Sequence, residues 1–174
     1  MTKGLATSAH IVPTKVSERE HMELSNRKIP PAKYRLAFDA DLCRWCRACE
    51  LACSLYHEGL FRPSASRIRM LLHPFEAEMK AVLCRQCGRP RCLLACTEDA
   101  IVADERTGAR VLLTDRCTRC GACAQACPFN AEGMIIRWDE EAGVYVKCDL
   151  CGGAPKCVEV CPTDALTCVE VEGR

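Results

Sequence analysis

Aromatic side chains are scarce: two Trp, three Tyr and four Phe in 174 residues. The aromatic bulk of a conventional core is therefore missing, and chains of this kind need a staple such as disulfides or metal. Long hydrophobic runs are absent as well. No stretch approaches the roughly 18 uninterrupted apolar residues of a membrane helix, so no span is expected. Charge of one sign is not in excess, with 24 Lys and Arg against 23 Asp and Glu. The basic residues are interspersed with acids and form no block, which argues against a nucleic-acid partner. The opening residues, MTKGLATSAHIVPTK, hold neither an apolar signal core nor a twin arginine. A cytoplasmic location is expected on that ground, and structural disulfides are rare there.

What the chain has instead is cysteine, 17 residues that are counted within its 49% apolar share. Sixteen of them fall into four groups of four. The first is Cys43, Cys46, Cys49 and Cys53, spaced C-x2-C-x2-C-x3-C. Cys84, Cys87, Cys92 and Cys96 follow with a longer second gap, C-x2-C-x4-C-x3-C. The third group is Cys117, Cys120, Cys123 and Cys127, closed by Pro128. Cys148, Cys151, Cys157 and Cys161 make the fourth, C-x2-C-x5-C-x3-C, closed by Pro162. Ser54 and Thr97 stand where the first two groups lack that proline, which removes no ligand.

This repeated spacing points to [4Fe–4S] cubanes. A tight C-x2-C-x2-C loop supplies three thiolates to one cluster. The fourth cysteine, one helical turn on, points to another cluster, as in two-cluster ferredoxins. Structural zinc uses separated C-x2-C pairs, so a third cysteine repeated in this way argues against zinc. Two partitions are natural: one with two and three with four, or two with three inside one with four. Residues 97–116 read as the short hairpin that joins the two motifs of a simple ferredoxin. Residues 54–83 are longer, hold Pro63 and Pro74, and lack an immediate strand–turn–strand. That favours the inner pairing of two with three. The ligand sets would then be Cys84, Cys87, Cys92 with Cys127; Cys117, Cys120, Cys123 with Cys96; Cys43, Cys46, Cys49 with Cys161; and Cys148, Cys151, Cys157 with Cys53.

The four-group pattern, from about 37 to 171, resembles the iron–sulfur subunits of molybdenum and tungsten pterin enzymes, the dimethyl sulfoxide reductase beta-subunit type. The short gap in group four and the stretches 53–59, 66–68, 84–87 and 147–151 are similar to a compact branch that serves tungsten aldehyde oxidoreductases. Relatives in that branch serve hydrogenases, formate dehydrogenases or carbon monoxide dehydrogenase. The resemblance implies the nested pairing, four [4Fe–4S] clusters in a line, and a non-catalytic relay. Its donor would be a tungsten- or molybdenum-pterin aldehyde oxidoreductase subunit, and its acceptor a flavin subunit reducing NAD, or ferredoxin. No nucleophile–base set, P-loop or dinucleotide fingerprint suggests other chemistry.

The expected fold is α+β, two ferredoxin-like dicluster modules with short hairpins and helices. One module takes 36–82 and 140–174; the other, 83–139, is inserted in it. Strands are predicted at 100–103 and 109–113, at 134–138 and 144–147, and at 165–171. Short helices are predicted at 48–53, 92–96, 123–127 and 157–161. Residues 1–35, with Pro13, Pro30 and Pro31, read as an extended arm able to strap onto a neighbouring subunit and drive oligomerisation. Gly88, Gly121, Gly152 and Gly153 sit in ligand loops, either to let backbone N–H groups approach sulfur or as ordinary turns. Arg44, Arg47, Arg85, Arg89, Arg91 and Arg119 read as a solvated face in preference to tuners of cluster potential. Trp45 would shield a cluster or form interface surface. Cys168 reads as a small buried strand residue, and His10, His21, His57 and His73 as structural or surface side chains.

Overall fold

The computed structural model describes residues 29–131 and 133–171. Eight strands form four separate two-stranded antiparallel ribbons, and four short helices lie between them. Strand β1 (Tyr34–Phe38) pairs with β8 (Leu166–Glu170), with Leu36 opposite Cys168. The other ribbons are local hairpins: β2 (Arg69–His73) with β3 (Glu78–Val82), β4 (Ile101–Ala103) with β5 (Arg110–Leu112), and β6 (Ile136–Asp139) with β7 (Val144–Lys147). Helix α1 (Ala48–Glu58) packs against α4 (Lys156–Glu159), and α2 (Arg91–Leu94) against α3 (Ala122–Ala126).

The three hairpin or strand regions predicted from alternation are present: 144–147 as expected, 134–138 shifted to 136–139, and the others a residue shorter at one or both ends. Helix α1 runs five residues past Cys53, ending at Gly59, whose N–H caps the Leu55 carbonyl at 2.9 Å. The β2–β3 hairpin lies in a segment whose length and prolines suggested no strand pair. Pro74 sits in its turn, where a missing N–H removes no ladder bond. Strand β1 takes in Tyr34 and Arg35, so the last two residues of the 1–35 stretch are part of a ribbon. Residues 1–28 of the expected arm, with Pro13, His10 and His21, lie outside the described residues.

Among the described residues no ribbon has a third strand, and α2 and α4 are single turns. Such elements are marginal alone, so what they enclose must hold them. The enclosed layer is rich in sulfur: Cys49, Cys53, Cys84, Cys92, Cys123, Cys148 and Cys157 belong to the buried cluster with Ile68, Ile101, Ile136, Leu150 and Leu166. Among the described residues, no helix is long and apolar enough to cross a membrane.

One turn fixes how residues 30–33 join this body. Gly108 adopts φ +68°, and a Cβ there would overlap the Pro31 carbonyl oxygen. The Lys33 N–H bonds to Thr107 at 3.1 Å, and Arg110 Nη1 reaches the Pro30 carbonyl at 2.8 Å. Gly108→Ala combines left-handed strain with a backbone clash. It is expected to cost about 2 kcal/mol or more. Thermal melting of the metal-loaded chain checks the loss, and limited proteolysis checks the release of 29–33.

Candidate metal centre

The four ligand loops share one backbone device. In each, the residue before the second cysteine is left-handed: Trp45 at φ 55°, Gln86 at 48°, Arg119 at 65° and Leu150 at 61°. None is glycine, so each costs roughly 1–2 kcal/mol against the ordinary helical region. Strain repeated at the same place in four loops marks a functional turn. The turn rolls the chain so that neighbouring thiols face a common point. Backbone N–H groups then reach sulfur: Trp45 to Cys43 Sγ at 3.5 Å, Arg67 to Cys53 Sγ at 3.2 Å and Ala100 to Cys96 Sγ at 3.3 Å. Such bonds stabilise a thiolate.

The thiols gather in mixed groups. Cys84, Cys87, Cys92 and Cys127 line one cavity of about 340 Å³, so the last cysteine of group three faces the first three of group two. Burial pushes Cys92 up to about 11; Lys147 opposes, and the Cys84 and Cys127 thiols add to the rise. Cys43, Cys46, Cys49 and Cys161 line a second, smaller hollow with Trp45. Cys49 is pushed up to about 12, by burial first, then Glu50, Cys46 and Cys43. Burial and then Cys53, Cys151 and Cys49 push Cys157 up to about 12. Cys123 reaches about 12 through burial, with Cys92, Cys117 and Cys96 adding. Cys161 goes the other way. Burial raises it, but N–H groups of Leu166, Thr163 and Ala165 and the Thr163 hydroxyl outweigh that and leave it lowered.

Thiols this buried remain protonated at neutral pH unless a cation takes the proton's place. Clustered sulfur with no competing carboxylate among the cavity linings suits iron–sulfur chemistry. Comparison with known proteins agrees. Residues 75–171 match the model of a 4Fe-4S dicluster domain. The chain belongs to the 4Fe-4S dicluster family.

Relatives of this dicluster chain are named as electron-transfer components. The polyferredoxin-like subunit of the aliphatic sulfonate oxidoreductase of Pyrococcus furiosus is 46% identical over 121 residues, covering 70% of this chain and 67% of the relative. The electron transport protein HydN of Escherichia coli K12 is 32% identical, covering 76% and 85%. Subunit beta of the NADH-dependent phenylglyoxylate dehydrogenase of Aromatoleum evansii is 33% identical over 75% of this chain and 29% of its own length.

Around the thiols, the structure redistributes the roles read from the sequence. Arg44, Arg47, Arg85, Arg89, Arg91 and Arg119 are all exposed, in keeping with a solvated face. Arg47 pairs with the fully buried Glu50 at 2.5 Å, and Arg85 lies 4.2 Å over the Phe129 ring. Of the loop glycines, Gly121 (φ +77°) is held under the Tyr145 hydroxyl, which would meet an added Cβ at 2.7 Å. Gly152 and Gly153 are left-handed, whereas Gly88 has open space around it. Cys168 is half-buried in β8 and outside the mixed thiol groups.

His57, read as structural or surface, is a structural residue with a specific contact. It is half-buried, with Nε2 3.6 Å from Cys151 Sγ and 3.5 Å from Asp149 Oδ1. Burial pulls its pKa down to about 4, with Arg67 helping and Asp149 opposing. The neutral ring therefore sits against a cysteine sulfur. No spacing on α1 signals this contact, because Cys151 lies 94 residues further along the chain. Tyr145, Gln86, Arg110 and Lys147 also went unnoticed in the sequence.

Proposed function

We propose that the chain is a non-catalytic electron-relay subunit with four [4Fe–4S] sites in a row. The ligand sets are Cys43, Cys46, Cys49, Cys161; then Cys148, Cys151, Cys157, Cys53; then Cys84, Cys87, Cys92, Cys127; then Cys117, Cys120, Cys123, Cys96. The order rests on which sets act on one another electrostatically through their thiols: Cys49 on Cys157, Cys84 on Cys148, and Cys92 on Cys123. The carrying observation is how exposure divides along it. Each end set has one exposed cysteine, Cys46 or Cys120, and neither middle set has any. When bound, each cluster supplies storage for one electron. The residues give that storage two wet ends for partners and a dry centre.

The β1–β8 ribbon and the α1–α4 and α2–α3 contacts support the nested pairing of groups, with 83–139 inserted between 36–82 and 140–174. The catalytic partner we propose is a tungsten- or molybdenum-pterin subunit of the aldehyde-oxidising kind. The four-group resemblance and the relative named as an oxidoreductase subunit support it. An NAD-reducing flavin subunit or ferredoxin is the proposed acceptor, a view that the relative named as NADH-dependent supports. A cytoplasmic setting goes with these partners.

The test is metal analysis of the native complex, purified without oxygen through a tag on this chain. About sixteen irons per chain is expected from four cubanes, together with tungsten or molybdenum in the co-purifying subunit. Nickel in place of both would move the chain to a hydrogenase or carbon monoxide dehydrogenase. Zinc with little iron would end the relay reading.

A further inference from the structure

Two cations are buried at the middle of this row, and neither has a carboxylate partner among the described residues. Arg110 and Lys147 are each 1% exposed. Lys147 Nζ donates to the carbonyls of Arg110 and Cys148, the latter at 2.8 Å. Arg110 directs Nε and Nη2 to the Cys87 carbonyl at 3.1 and 2.9 Å, and Nη1 to the Pro30 and Gly108 carbonyls at 2.8 and 2.9 Å. Gln86 locks the pair between the two middle sets. Its Nε2 donates to the Cys148 carbonyl at 3.0 Å, and its Oε1 accepts the Arg110 N–H at 2.8 Å.

Carbonyl dipoles satisfy the donors but do not neutralise the charge. A buried, unneutralised cation costs several kcal/mol, so a counter-charge is called for. The groups that face these cations are cysteine sulfurs. Arg110 lines the cavity of Cys84, Cys87, Cys92 and Cys127, and Lys147, next to Cys148 in the chain, acts electrostatically on Cys92, Cys127 and Cys148. All five belong to the two middle ligand sets. Metal-bound thiolates there supply the missing negative charge.

We propose that Arg110 and Lys147 are positioning residues that raise the reduction potentials of the two central sites above those of the two end sites. The proposal rests on the four-site reading. An added electron makes a bound cluster more negative, and a nearby positive charge in a dry interior stabilises that state. The six exposed loop arginines act through water and salt and are screened. The electron therefore rests at the buried centre and is offered to partners only at the ends.

The test uses the full chain in its native complex, with iron counting and redox titration followed by electron paramagnetic resonance. Lys147→Met and Arg110→Met each remove one charge, and Arg110→Lys keeps the charge while giving up part of the hydrogen-bond fork. Expected is full iron in the methionine variants with a fall in the two highest of the four couples. The fall should be about tenfold in reduction constant, about 59 mV for one electron, with the two lowest couples still and Arg110→Lys close to wild type. Unmoved upper couples at full iron would overturn the proposal. So would an equal fall in Arg110→Lys, an equal fall in all four couples, or loss of iron from both methionine variants, which would make the pair structural. Failure of the four-site reading would show separately, as a wild-type iron count well under about sixteen.

Discussion

Stripping iron from the chain with a chelator should abolish its fold rather than loosen it. The far-ultraviolet circular dichroism of the product is expected to be that of a coil, with no cooperative melt, and iron with sulfide should restore both. The reason lies in the size of the parts. Each sheet among the described residues is a two-stranded ribbon, and three of the four helices have five residues or fewer. Two-stranded ribbons and single helical turns do not stand alone in water. The buried layer that joins them is in large part cysteine. Once metal is gone, these thiols retain a little hydrophobic contact but lose the bonds that tie one element to the next. A small domain has only about 5–15 kcal/mol of net stability, and ligation of structural zinc alone is worth about 10–16 kcal/mol in small metal domains. Four such centres exceed any margin the side chains offer. A native-like spectrum with a sharp melt, at less than one iron per chain, would show that the core argument is wrong.

Local patterns were readable and long-range ones were not. The pattern at 100–103 and 109–113, with its loop at 105–108, predicted the hairpin that the structure has at 101–103 and 110–112. The same reasoning passed over β2–β3, because Pro63 and Pro74 looked like breakers while Pro74 only occupies a turn. Nothing local announces that Leu36 pairs with Cys168, 132 residues away in the chain. That contact depends on the interior that both ends must wrap. Charge misled for a related reason. Arg110 in a strand and Lys147 beside Cys148 look like solvent-facing residues, because burial of a lone cation is costly. Only the arrangement of sulfur from three different groups makes those positions favourable. The arginines between the cysteines are exposed, as the reading of a solvated face expects. Likewise, His57 gains its sulfur contact from Cys151 of the fourth group, which no spacing on α1 could disclose.

Which cysteines share a cluster is open to a sharper experiment, and its effect is counted in whole clusters. Cys84→Ala with Cys87→Ala removes two ligands of one proposed set, so that variant should lose about four irons. Adding Cys127→Ala to it should cost no further iron, since Cys127 would serve the site already lost. Adding Cys96→Ala instead should remove more, because Cys96 would serve the set of Cys117, Cys120 and Cys123. If groups one and two shared their clusters, and three and four theirs, the outcome for Cys127 would reverse. Its loss would then damage a site held by Cys148, Cys151 and Cys157, and iron would fall again. Non-additivity of this kind is what separates residues that act on one site from residues that act on two. The reciprocal pair runs on the outer groups. Cys148→Ala with Cys151→Ala should be insensitive to Cys53→Ala and sensitive to Cys161→Ala. The cavity shared by Cys84, Cys87, Cys92 and Cys127 and the hollow shared by Cys43, Cys46, Cys49 and Cys161 both favour that result. Each draws three thiols from one cysteine group and the fourth from just past a helix distant in the chain.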